Sequence, residues 1–482
     1  LNSSQSLPAS SKSARSVNRW LVLANVSLGT FMSTLDGSIA NVALPTLSTH
    51  LHTSLSIIQW VLTAYLLTIC ATLPIMGKLS DMFGRGRIFN YGFLIFAGGS
   101  ALCALSGSLA MLIVSRIIQA LGASCLMSNS QAIVAETFPP TERGRAMGIV
   151  GTMVSLGSLT GPGIGGILVA NLGWPSIFWI NVPIGVIGYI AGLYLLRSNK
   201  ESSVAQPFDY TGSALFMVGI VALLYTVSSA QDWGWSSAAV LIGVIGSVAV
   251  LAGFYLWERR TRFPMFDFSL YRNRTFAIGN ITAFLSFVAL FFINIMLPFY
   301  MEGVLGFSID RTGYVMMVNP LCMAVVAPLS GWLSDKIGPN LLTTAGLAIN
   351  ATAFALLTNL GSHDTAGIVA LHLALFGIGS GLFQSPNNSS VMGAVPRTQL
   401  GSAGGLNALV RNVGMVVGIS ASVSLYTTRL HHLGGSAAGS AFGASTPAIL
   451  GSLHMVFWTA AGVCIVALLF SSQRLFVRNR AS

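Results

Sequence analysis

The sequence is poor in charge, and poorest in acid. Only 8% of its 482 residues are charged, with 13 Asp and Glu against 24 Lys and Arg. A soluble protein carries roughly 25% charged residues, so an ordinary water-facing surface cannot be built from this chain. Cysteine is scarce too. Cys70, Cys103, Cys125, Cys322 and Cys464 all fall in apolar runs without metal-ligand spacing, which argues against a disulfide framework or a metal site and for packing. No G-x-x-x-x-G-K-[ST] loop occurs, so an ATP-driven mechanism has no support. No nucleophile–base pair suggests an enzyme, and no cofactor is expected.

What is present is apolar length. Hydrophobic residues make up 53% of the chain, in runs of 18 or more that point to a lipid bilayer as the solvent. The runs predict fourteen spanning helices, at 19–45, 56–77, 89–107, 110–134, 147–170, 176–196, 212–230, 238–257, 276–300, 312–331, 341–360, 366–386, 401–426 and 450–471. Residues 1–18 read as a polar, Ser-rich disordered tail and 472–482 as a second tail. The first helix then acts as an uncleaved insertion signal.

The net charge of +11 could suggest nucleic acid, but the basic residues sort by side instead. With both termini in the cytoplasm, only Arg311 and Arg429 fall in outer turns, while Arg116 and Arg411 fall within helices. The other basic residues all lie in inner segments. This bias fixes the orientation and accounts for the charge without a nucleic-acid partner.

One stretch is written twice. PIMGKLSDMFG at 74–84 returns as PLSGWLSDKIG at 328–338, pairing Pro74 with Pro328, Gly77 with Gly331, Asp81 with Asp335 and Gly84 with Gly338. Each copy follows the second helix of its half, the signature of a transporter built from parallel repeats. The expected organisation is a six-helix bundle over 19–197, a linker with two extra helices over 198–275, and a second six-helix bundle over 276–471. Arg85 and Arg87 follow Asp81, whereas Pro339 and Asn340 follow Asp335. A carboxylate so placed can pair with the arginines or with a helix N-terminus of the other half, making a cytoplasmic gate stronger in its first copy. Gly77 and Gly84 permit close approach and tight turns. The plain alternative is a charged turn, which duplication weighs against.

Gly77, Leu79, Asp81, Gly84, Arg85 and Arg87 resemble the G-x-L-x-D-x-x-G-R-x-R motif of the major facilitator superfamily. LDGSIANVALP at 35–45 is similar to the first-helix signature of its fourteen-helix drug:proton antiporters, with Ser38 where Thr is usual. Arg116, Gln119 and Gly122 follow an R-x-x-Q-G-x-G pattern, with Ala120 for its first glycine. GSLTGPGIGG, with Gly157, Gly161, Pro162, Gly165 and Gly166, resembles the superfamily's antiporter motif. GWPSIFWINVPIG at 173–185 and GSAGGLNALVRNVG at 401–414 extend the likeness. The resemblance implies an all-α polytopic fold of the major facilitator type, two six-helix bundles plus two inserted helices, in a bacterial plasma membrane. It favours export over symport.

Asp36 is the one acid well inside a predicted helix, about 24 Å along it from Trp20 at about 1.5 Å per residue. A carboxylate there is costly unless protonated, paired or facing water. Asp36 is therefore the candidate proton-coupling residue, with Arg116 as its partner; the plain alternatives are a structural carboxylate and a snorkelling arginine. Candidate cavity residues are those that a lipid-facing helix would not choose: Asn41, Trp60, Tyr65, Gln119, Asn294, Asn319, Gln384 and Asn387. Arg411 is a second intramembrane charge, and His372 reads as a neutral, hydrogen-bonded histidine.

These features together predict a proton-driven antiporter, a monomer, exporting small amphiphilic molecules by alternating access. A single deep carboxylate favours monocationic or neutral substrates over dications. A proton symporter, an exporter of a lipid or metabolite, and a non-transporting sensor are the alternatives. The sensor would need a signalling domain, for which neither tail is long enough.

Overall fold

In a computed structural model the chain folds almost wholly into α-helix. The structure describes residues 18–50, 53, 55–196, 207–434 and 445–477. The expected tail at 1–18 falls outside these residues except for Asn18. The helices are α1 (Arg19–His50), α2 (Leu55–Ile58), α3 (Trp60–Phe83), α4 (Arg85–Ala104), α5 (Leu109–Thr137), α6 (Pro140–Leu172), α7 (Ser176–Trp179), α8 (Asn181–Leu195), α9 (Tyr210–Trp233), α10 (Ala238–Glu258), α11 (Arg274–Gly303), α12 (Ile309–Met316), α13 (Val318–Ile337), α14 (Pro339–Leu357), α15 (Ala366–Gly393), α16 (Leu400–Gly434) and α17 (Thr446–Val477).

Among the described residues, twelve helices are long and apolar enough to cross a membrane, or thirteen if the two segments of α6 count as one span. Those segments meet at 41° around position 162, where the sequence has proline, a usual cause of a sharp kink. Two expected helices are broken by prolines. Pro183 has no N–H and crowds the carbonyl four residues back, so α7 ends at Trp179; Pro320 does the same to α12 at Met316.

Most helices outrun their apolar cores. The duplicated stretch is therefore not a turn but the last turns of α3 and α13. Asp81 and Asp335 are helical, and the helices stop where Gly84 (φ 99°) and Gly338 (φ 86°) take a conformation that side chains disfavour. The tail expected from 472 likewise begins as helix, since α17 runs to Val477.

Packing follows the repeat. In the first half α1 lies against α5, α6 and α8, and α4 against α5 and α8; in the second, α11 lies against α16 and α17, and α14 against α15 and α17. The halves meet along α6 with α13 and α3 with α16, and the inserted α9 packs on α3 and α16. Glycine sets the spacing. A Cβ on Gly77 would stand 2.5 Å from the Gly401 carbonyl oxygen, and one on Gly148 2.5 Å from that of Ala327.

The same test gives a prediction inside the first half. A Cβ on Gly99 would lie 2.6 Å from the backbone N and Cα of Gln119, whereas Gly98 has nothing within 4 Å. Gly99→Ala is expected to cost about 1–3 kcal/mol through overpacking, and Gly98→Ala to be neutral or slightly stabilising. Thermal unfolding in detergent compares them; equal melting temperatures would disprove the close packing of α4 on α5.

Candidate functional site

The first constellation is a sealed polar cluster near the end of the first half away from Asp81. Asp36 on α1, Arg116 and Gln119 on α5, Ser100 on α4 and Asn181 at the start of α8 are all fully buried. Arg116 Nη1 donates to Asp36 Oδ2 at 2.6 Å and to Gln119 Oε1 at 2.5 Å. Gln119 Nε2 and Asn181 Nδ2 donate to Asp36 Oδ1 at 2.8 and 2.9 Å. Gln119 also reaches Ser100 Oγ at 2.7 Å, and Arg116 Nε the Val61 carbonyl at 3.3 Å. The Tyr65 ring lies 3.9 Å from the guanidinium carbon, within cation–π range. Five helices thus contribute to one cluster, and α5 and α8 bond its carboxylate directly. The spacing of Arg116 and Gln119, three residues apart on one face of α5, lets both reach it.

The second constellation joins the halves. Asp81 accepts from the backbone N–H of Gly401 (2.8 Å) and Ser402 (2.7 Å) and from the Ser402 hydroxyl (2.8 Å), all at the start of α16. Arg85 donates to Asp81 at 2.9 Å, to Glu136 at 2.8 Å and to the Arg397 carbonyl. Asp335 does the reciprocal thing, accepting from the N–H of Gly144 (2.7 Å) and Arg145 (2.9 Å) in the first turns of α6. Each acid of the repeat therefore holds the N-terminus of a helix in the opposite half, where unpaired N–H groups and the helix dipole favour an anion. Arg87 is exposed and bonded to neither acid.

The third is a glycine stripe. Gly157, Gly161 and Gly165 of α6 face α1, where added Cβ atoms would meet Thr34, Ser38 and Ile39. Ser38 donates to the Gly157 carbonyl at 3.0 Å. Gly166 points into open space, and the side chain of Pro162 is outside the described residues.

The expected cavity residues scatter. Tyr65 and Gln119 belong to the Asp36 cluster. Trp60 packs on Tyr225 of α9, with ring centroids 5.6 Å apart. Asn387 is buried, donating to the Gly279 carbonyl and accepting from Arg474, so it presents no free face. Asn294 and Gln384 are half-buried on α11 and α15, while Asn319 is buried on α13 with its Oδ1 unpartnered. The side chain of Asn41 is outside the described residues. His372 is bonded through Nδ1 to the Ile368 carbonyl at 2.7 Å. Sequence reasoning missed Asn181, Ser100 and Glu136. Asn181 lies inside the singled-out 173–185 stretch; Ser100 gave no signal.

The Major Facilitator Superfamily profile matches residues 26–419. The riboflavin transporter of Clostridioides difficile (strain 630) is 36% identical over 453 residues, covering 94% of this chain and 97% of its own. The tetracenomycin C resistance and export protein of Streptomyces glaucescens is 31% identical over 415 residues, covering 85% and 76%. Among solved structures, the human organic anion transporter MFSD10 superposes with a TM-score of 0.67 at 18% identity, over 94% of this chain and 99% of that one; at that identity the likeness is one of fold alone.

Two predictions follow from the bonded acids. Arg116→Gln strands a buried carboxylate and is expected to cost about 3–5 kcal/mol, with much of this recovered when Asp36→Asn is added. Equal melting temperatures for single and double variants would count against the pairing. Asp81→Asn removes more donors' acceptor than Asp335→Asn, so it should expose the start of α16 more, read as faster maleimide labelling of Ser402→Cys than of Arg145→Cys in the matching pair. Equal labelling would sink the inequality of the two ties.

Proposed function

The chain belongs to the major facilitator superfamily and is a transporter rather than an enzyme, and we propose that it exports small amphiphilic molecules in exchange for protons. The observation that carries this reading is the sealed Asp36–Arg116 pair. It is a carboxylate in the membrane interior whose donors come from α5 and α8, with α3 and α4 holding those donors in place.

Protonating Asp36 removes the charge that Arg116 neutralises and leaves a guanidinium buried without its anion. The cluster then has to rearrange or open. The glycine stripe supplies a route for that change. α1 carries Asp36 and lies on α6 through Gly157, Gly161 and Gly165, while α6 in turn packs on α13 of the other half. A shift of α1 is thus passed to the seam along which the halves rock.

The hydrogen bonds that join the halves cluster at the ends of α3 and α13 and the starts of α6 and α16. The charge bias puts those ends in the cytoplasm, with both chain termini. In this reading the halves are tied shut at their cytoplasmic ends, and those ties part when the transporter opens inward. Each proton moving inward contributes about 2.3 kcal/mol per 100 mV of membrane potential. Counting α1 as a span beside the thirteen gives fourteen: two six-helix bundles, over 19–197 and 276–471, and the inserted pair α9–α10. α1 is not among those thirteen, and it bears Asn25, Asp36, Asn41 and many hydroxyls.

The second reading is export of an endogenous metabolite, favoured by the near full-length likeness to a riboflavin transporter. It shares the mechanism and differs only in cargo.

Everted vesicles decide the coupling. Energised wild-type vesicles should accumulate a fluorescent substrate and lose it on adding an uncoupler, while Asp36→Asn should show no gradient-driven uptake. Undiminished uptake by Asp36→Asn would remove Asp36 from the coupling role.

A further inference from the structure

Two arginines lie deep within helices, and they are treated in opposite ways. Arg116 is fully buried and bonded to Asp36, Gln119 and a carbonyl. Arg411 is half-buried and has no hydrogen bond or ion pair among the described residues. It stands eleven residues into α16, about 16 Å from its start and so near mid-membrane.

Its direction can be read from its neighbours on α16. At about 100° per residue, Arg411 lies within about 20° of both Gly404 and Gly418. Gly404 rests on Ser128 and Ala132 of α5, in the first half; Gly418 rests on Val288 and Phe291 of α11, in the second. Arg411 therefore points between the halves rather than towards lipid. One turn below it, Asn407 bridges them, donating to Gln131 Oε1 at 2.6 Å and Asn388 Oδ1 at 3.2 Å. The NH2 groups of Gln131 and Asn388 have no partner among the described residues. Phe287 and Phe291 of α11, both half-buried, flank the same face. Among the described residues no carboxylate answers the guanidinium, because the deep acid Asp36 is already occupied by Arg116.

An unpaired guanidinium in a low-dielectric space is costly, and its planar fork matches an oxyanion. We infer that Arg411 is the anchor for an anionic group of the substrate, and that this transporter takes flat aromatic acids. The expectation of monocationic or neutral cargo rested on there being a single deep carboxylate, and that carboxylate, Asp36, is fully buried and bonded to Arg116. The inference rests on the transport reading but not on its coupling or direction.

Binding to the purified full-length protein in detergent tests it without any gradient. Fluorescein and rhodamine 123 share a xanthene ring and differ in charge. Fluorescein anisotropy should saturate, with rhodamine 123 binding about tenfold or more weakly, as expected for one charge-assisted contact. Benzoate should displace fluorescein and benzamide should not. Arg411→Gln should weaken fluorescein about tenfold or more and leave rhodamine 123 unchanged or tighter, while Arg411→Lys restores part of the loss. If Arg411→Gln does not fold, the wild-type competition decides alone. Equal or tighter binding of rhodamine 123, equal displacement by benzoate and benzamide, or equal weakening of both probes by Arg411→Gln would overturn the proposal. A protein that binds fluorescein through Arg411 yet shows no proton-driven export keeps this inference and loses the antiport reading; the converse result does the opposite.

Discussion

A carboxylate held away from water must find donors within the protein, and Asp36 draws them from two other helices that two more hold in place. α5 supplies Arg116 and Gln119, α8 supplies Asn181, α4 orients Gln119 through Ser100, and α3 steadies Arg116 through the Val61 carbonyl. The first bundle is organised, at its end away from Asp81, around this single charge. Its helices pack closely enough to exclude water only because Gly99 and Gly122 let α4 and α5 touch backbone to backbone. The hydrophobic effect, weak between helices in lipid, does not choose this arrangement. Close packing and a buried polar cluster bonded across helices do.

The opposite end solves the same problem with backbone. Asp81 and Asp335 each borrow the unpaired N–H groups of a helix start across the seam. Such ties suit a part that must open repeatedly. Near the membrane surface, water can replace the N–H donors when the halves part, so neither partner is left stranded. The two ties differ because Arg85 braces Asp81 and links it to Glu136, while Pro339 and Asn340 give Asp335 no such brace. Pro339 instead starts α14, the one position in a helix where its missing N–H costs nothing.

Much of this was legible in the sequence, for reasons specific to membrane chains. Hydropathy finds a helix wherever lipid forbids unsatisfied backbone, and the offset repeat placed Asp81 and Asp335 at equivalent points. Asp36 and Arg116 stood out because charge inside a helix is rare. What hydropathy could not show is where helices continue in water or between proteins. It therefore read the last turns of α3 and α13 as loops, and it missed the breaks set by Pro183 and Pro320. Partners escaped it as well. Nothing in the sequence distance between Asn181 and Asp36 marks them as neighbours, and a lone serine such as Ser100 looks like any other in an apolar run. The cavity candidates suffered most. A polar residue in a helix satisfies lipid avoidance equally by bonding a neighbouring helix, as Asn387 and Gln119 do, or by facing a cavity.

The same distinction separates the two deep arginines. Composition treats Arg116 and Arg411 alike, and both lie in stretches that resemble family signatures. Three-dimensional placement gives one a permanent anion and the other none among the described residues. A satisfied ion pair in a sealed site stores the consequence of a proton, because changing its charge disturbs every helix that contributes a donor. An unsatisfied cation between two moving bodies does the reverse, in that it waits for a charge to arrive. If both act in one cycle, proton and cargo never compete for a single side chain. Their exchange must then be coupled through helix movement, from α1 to α6 and across the seam to α13, rather than by direct displacement at a shared carboxylate.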